Sequence, residues 1–112
     1  MLIYKIFRAD EWAAFRHNGE TQGAPVDLQD GYIHFSNAAQ AAETAAKHFA
    51  GADGLVLLAC DADSFGDDLK WQVSRGGDLF PHLFDLLKTE NVTWAKPLPF
   101  VDGHHRFPKE MV

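Results

Sequence analysis

In DGYIHFSN (30–37) the imidazole of His34 lies between the apolar residues Ile33 and Phe35, and the hydroxyl of Ser36 follows two positions later. An imidazole in an apolar strand must find hydrogen-bond partners or lose its solvation, so His34 reads as a satisfied core group or as a working one. Its ring titrates near neutral pH, which suits general acid–base chemistry. Ser36 falls where a strand passes into a helix. Its hydroxyl and the nearby amides suit an anionic or sugar-like ligand; the plainer reading is a helix cap. Further along, WQVSRGGDLFPHL (71–83) gathers Trp71, Gln72, Ser74, Arg75, Asp78, Phe80 and His82 around Gly76-Gly77. Aromatic walls with a few polar groups describe an ordinary small-molecule site, so the two segments are expected to share a pocket.

Metal and thiol chemistry find less support. DADSFGDDLKWQ (61–72) begins like a calcium loop, but Phe65 and Gln72 stand where an oxygen ligand and a bidentate carboxylate are needed, which leaves an acidic turn. The six histidines include no i, i+4 pair, and His104 and His105 point apart on a strand, so no metal site is expected. His17 and His48 lie near helix C-termini, where their charged form complements the dipole. The one cysteine, Cys60, closes an apolar run and reads as a small buried hydrophobe.

The elements that must position these groups follow from periodicity. LIYKIF (2–7) predicts a strand, and Asp10 predicts a cap for a helix carrying Trp12 and Phe15 on one face and ending at Asn18-Gly19. GETQGAPVDLQDG (19–31) shows no period and reads as a surface loop long enough to rim a site. After the strand YIHF, Asn37 with Gln40 predicts a capping box for an Ala-rich helix that stops near Gly51. GLVLLACD (54–61) is a continuous apolar run expected at the centre of the sheet, with LKWQV (69–73) as a partner strand. Gly76-Gly77 predicts a turn, and Pro81 a turn or the first turn of a short helix. NVTWAKPL (91–98) is the last clear strand. This order lacks regular βαβ alternation, which predicts a mixed or antiparallel α+β fold with two main helices rather than a doubly wound sheet.

With 112 residues, 46% of them hydrophobic, the chain suits a single domain over 1–112, with 98–112 as an extended tail or terminal hairpin. A formal charge of −6 disfavours broad attachment to nucleic acid or anionic lipid. No stretch approaches a membrane span and the N-terminus has no secretory pattern, so a cytoplasmic location is expected.

The stretches IYKIFRADEW (3–12), DGYIHFSNAAQAAETAAKHF (30–49), LVLLACD (55–61), LKWQV (69–73), GGDLFPHLF (76–84) and WAKPL (94–98) together resemble the small bacterial family called domain of unknown function 952. That resemblance implies a distant relation to the ADP-ribosylation fold, a split α+β sheet whose enzymes bind NAD in a cleft between two half-sheets. It implies that Lys5 and Ser36 fall at the first two site positions of those enzymes. The third, a carboxylate near the anomeric centre, falls on Gln72 or Asp78. Lys5 and Gln72 stand where the family tends to have His and Glu.

Three functional classes follow. The first is a small-ligand or nucleotide cleft, with NAD as the cofactor implied by resemblance, His34, Ser36 and Asp78 at the chemistry, and Lys5, Trp71, Gln72, Phe80 and His82 around the ligand. The second is acid–base catalysis by His34 and His82 on another small substrate. The third is a structural or interaction domain in which both histidines are scaffold. Whether the protein is an enzyme stays open at this point, as do its ligand and oligomeric state.

Overall fold

The computed structural model describes residues 1–111, the Arg75 side chain excepted. Its elements are β1 (Leu2–Phe7), α1 (Ala9–Asn18), β2 (Glu20–Thr21), α2 (Pro25–Asp30), β3 (Ile33–His34), α3 (Ala38–His48), β4 (Leu55–Asp61), β5 (Leu69–Val73), β6 (Leu79–Leu83), β7 (Leu87–Lys88), β8 (Val92–Leu98), β9 (Phe100–Val101) and β10 (His104–His105). The architecture is mixed α+β, and every named strand pair is antiparallel.

β4 owes its place to its unbroken apolar run. It lies between β1 and β8, with Leu57, Leu58, Ala59 and Cys60 fully buried. Alternation sends Leu58 and Cys60 to one face, with Ile3, Phe7, Phe15, Ile33 and Phe35. It sends Leu57 and Ala59 to the other, with Tyr4, Ile6, Leu98 and Ala45 of α3. Each fully buried Leu, Ile or Phe in these two layers contributes about 1.5–3 kcal/mol relative to exposure. α3 begins as its sequence predicts: Asn37 Oδ1 accepts from Gln40 N–H at 2.8 Å, and Gln40 Oε1 accepts from Asn37 N–H at 3.1 Å.

A second antiparallel sheet has the order β3-β6-β5. Residues 33–36 join it to the first. Ile33 and His34 pair with Leu83 and His82 of β6, whereas Ser36 exchanges both backbone hydrogen bonds with Tyr4 of β1, at 2.8 and 2.9 Å. Between these pairings Phe35 N–H donates to the Pro81 carbonyl at 3.0 Å. Continued register would set Phe35 opposite Pro81, and such an antiparallel pair needs an N–H from each residue. Proline has none, so the second bond cannot form and the strand is released toward β1 at this residue.

Several local expectations are corrected. Pro81 lies inside β6, the middle strand of its sheet, and not in a turn or helix. The stretch 19–31 is not an unstructured loop: it holds β2, paired with β7, and α2. Pro25 opens α2 without a missing donor, the Asp27 carboxylate accepts Ala24 N–H at 2.7 Å, and Gly31 closes the helix at φ 86°. α1 starts one residue before Asp10; Arg8 is its cap position, and its N–H donates to Glu11 Oε1 at 2.8 Å. α3 ends at His48 with Phe49, not Gly51, in the cap position. The terminal hairpin is present as β9–β10, turning at Asp102-Gly103 with both φ angles positive. Among the described residues no helix is long and apolar enough to cross a membrane.

Candidate functional site

The two sheets part beside β1, and a cleft of about 710 Å³ opens there. Its walls come from β1, α2, the 34–36 segment, α3 and β6. Lys5, His34, Ser36, Phe80 and His82 all line it. Strand alternation explains the set: His34 and His82 are cross-strand partners and so share a face, and Phe80, two residues from His82, is on that face too. Gln72 stands one step behind, its Oε1 2.8 Å from His82 Nδ1. Trp71 alternates to the opposite face of β5, 37% exposed. Asp78 is exposed in the turn before β6, where its carbonyl accepts Ser74 N–H at 2.9 Å, and it does not line the cleft. Ser74 does. The Arg75 side chain lies outside the described residues. Ser36 is not the helix cap; Asn37 is, and Ser36 Oγ lies 2.9 Å from Thr44 Oγ1 of α3.

The centre of the polar network is Asp27, which the sequence reading left inside a surface loop. Its buried carboxylate accepts from Lys5 Nζ at 2.7 Å, His34 Nδ1 at 2.6 Å, His34 N–H at 3.0 Å and Ala24 N–H at 2.7 Å. Burial by itself raises the Asp27 pKa, but the His34 ring bond and the Lys5 ammonium outweigh it and hold the carboxyl below its ordinary value. Burial draws the Lys5 pKa down; the Asp27 charge and hydrogen bond oppose this without cancelling it. His34 Nε2 lies 2.9 Å from Asp30 Oδ2, so each ring nitrogen faces a carboxylate.

His82 is held differently. Burial and then the neighbouring His34 lower its pKa, with Asp30 acting in the opposite sense. The Tyr32 ring lies against both imidazoles, at 4.2 Å from His82 and 4.6 Å from His34 between centroids, and the two imidazoles are 5.5 Å apart. Also on the cleft wall, the Arg8 guanidinium stands over the Phe49 ring at 5.0 Å, with Glu11 and His48 lining the hollow as well. His48, expected only to complement a helix end, therefore borders the site. Arg8, Asp27, Asp30 and Tyr32 were missed. Asp27 had a local signal in Pro25 two residues before it and Gly31 after, but its partner Lys5 is 22 residues away and no spacing rule reaches it.

The arrangement provides a histidine-rich hollow of mixed charge in a mixed α+β scaffold. The chain belongs to the family described as protein of unknown function (DUF952), whose model matches residues 6–95. It is similar to protein CC0527 from Caulobacter crescentus: the crystal structure is 48% identical with a TM-score of 0.90, covering 95% of this chain and 94% of that one. The solution NMR structure of CC0527 gives 50% identity and a TM-score of 0.83 over 92% of this chain and 90% of that one. A comparison with curated proteins found no match.

Proposed function

We propose that the cleft binds a nucleotide-like small molecule of the NAD or ADP-ribose class, with Lys5, His34, Ser36, Phe80 and His82 around it. The observation that carries this reading is the convergence of residues 34–36 and 80–82 on one hollow of about 710 Å³, a volume in the range of small-molecule sites. The parting of two antiparallel half-sheets beside β1 supports a likeness to the ADP-ribosylation fold, and Arg8 gives the hollow a cation for a phosphate. The reading is one of binding rather than ribosyl transfer. Steadying a ribosyl cation calls for a carboxylate at the anomeric centre. Gln72 is neutral and turned to His82, Asp78 is off the wall, and Glu11 and Asp30 already accept from Arg8 N–H and face His34. The net charge of −6 fits a protein with no broad nucleic-acid or anionic-lipid partner.

The second reading, acid–base catalysis on another small substrate, is favoured by the two imidazoles 5.5 Å apart on one wall. NMR titration of the 15N-labelled protein tests the first. NAD and ADP-ribose are expected to move the amides of residues 33–36 and 79–83. Amides there that stay still at millimolar ligand reject nucleotide binding.

A further inference from the structure

We propose that His82 Nε2 is the cleft's hydrogen-bond acceptor for a sugar hydroxyl, and that Gln72 is the residue that keeps it an acceptor. This deepens the nucleotide reading and rests on it for the ligand. The geometry begins with Gln72, which presents its carbonyl oxygen to His82 Nδ1 at 2.8 Å. A carbonyl has no proton to give, so the proton of that bond sits on Nδ1 and a neutral ring then carries its lone pair on Nε2. Among the described residues Nε2 has no hydrogen-bond partner, and no buried side-chain nitrogen or oxygen is left without one. Nε2 is therefore the nitrogen that reaches the cleft, whose wall His82 forms.

The ring is kept neutral as well as oriented. Burial and the His34 ring hold its pKa below the ordinary 6.5. The Tyr32 ring, 4.2 Å away at 31°, covers one face of the imidazole and limits its rotation. His34 differs, because both of its nitrogens face carboxylates. The wall thus offers an acceptor at His82 beside a ring already engaged by Asp27 and Asp30. A lone pair repels phosphate oxygens and takes an O–H or N–H; in a nucleotide the hydroxyls of the ribose are such donors. Gln72 touches no part of the cleft itself and acts through His82, as a positioning residue.

Imidazole 15N spectra of the full-length protein at neutral pH test the first half without any ligand, with His82→Asn identifying the signals. The expected result is a pyridine-type signal at His82 Nε2 and a pyrrole-type signal at Nδ1. Gln72→Leu should mix the two tautomers, and Gln72→Glu, which still accepts at Nδ1 but adds a charge that favours the protonated ring, should show the wild-type pattern once the buffer is alkaline enough to leave the ring neutral. A pyridine-type nitrogen at Nδ1, or a Gln72→Leu spectrum unchanged at His82, overturns the assignment. ADP-ribose and ribose 5-phosphate then test the hydroxyl. Both should shift His82 Nε2, and Gln72→Leu should weaken ADP-ribose about tenfold, as loss of one oriented hydrogen bond does. Binding that moves the Ser36 amide but leaves Nε2 in place refutes it; a shift that adenine alone reproduces assigns the donor to the adenine amine and refutes the sugar. If neither compound binds, the ligand half falls with the nucleotide reading, while the ligand-free spectra decide the role of Gln72.

Discussion

Replacing Asp27 by alanine removes the one carboxylate that ties β1, α2 and β3 together. Four donors lose their acceptor: the Lys5 ammonium, both His34 donors and Ala24 N–H. The Lys5 ammonium dominates, since it is buried with the carboxylate and breaking a buried pair by removing one partner costs about 3–5 kcal/mol. For a chain of this size each kcal/mol moves Tm by about 4 °C, which places the loss at about 12–20 °C. Thermal and urea unfolding followed by circular dichroism measure it. The reasoning also requires coupling: Lys5→Met removes the orphaned charge, so the double variant should recover about 2 kcal/mol relative to the sum of the singles. A loss under about 1 kcal/mol for Asp27→Ala, or two losses that merely add, refutes the account of the buried pair. The pH dependence has a defined sign. The folded Asp27 pKa lies below the ordinary 3.8, so its contribution is fully present above that value and is lost as pH falls through the folded pKa. Lys5 runs unusually, because its folded pKa lies below the ordinary 10.5. Between those two values the unfolded chain binds more protons, so stability rises with pH across that window, and Lys5→Met should lack the rise.

Two further outcomes check the surroundings of the same network. Gly23→Ala should lower stability by about 1–3 kcal/mol, because its φ of 104° strains any other residue and the new Cβ would stand 2.6 Å from the Asp27 Cβ; an unchanged Tm sinks the close-approach argument. Cys60 is fully buried and its thiol is pushed up to about 12 by burial, so it should resist a thiol reagent in the native protein and react only on unfolding in urea; prompt native labelling contradicts the packing of β4.

The parts of this fold that read clearly from sequence are those whose cause is local. The capping box at Asn37 and Gln40, the apolar run 54–61 and the strand 69–73 each rest on residues within a few positions of one another, whereas the partner of 69–73 is β6 and not the 54–61 strand, because pairing is set by distant residues. Pro81 was misread for the opposite reason. A proline's ordinary meaning is a turn or a helix start, and only the pairing of residues 33–36 with two different strands shows that its missing N–H is tolerated inside β6. The stretch 19–31 was misread because α2 has one turn of amphipathic pattern at most and is held by a buried charge, not by an apolar face. Asp27 carries no outward mark of burial: it sits among Gln22, Gln29 and Asp30 in what looks like a solvated segment.

The same contrast accounts for how the cleft arises. A strand that stayed paired with β6 along its length would close the two sheets into one surface and leave no hollow. Phe35 instead makes a single bond to Pro81, and Ser36 turns to Tyr4, so the sheets share one segment and diverge. The gap beside that segment is bridged on one side by α3, through Ser36 Oγ and Thr44 Oγ1, and on the other by α2, through Asp27. Since α2 supplies a cleft wall and Asp27 is its anchor to β1 and β3, the buried charge that costs the protein desolvation is also what keeps the hollow open in one shape. The His34 ring is oriented by this anchor and the His82 ring by Gln72. The two imidazoles are thus positioned by different strands and helices, and a change at either support should be felt at one ring before the other.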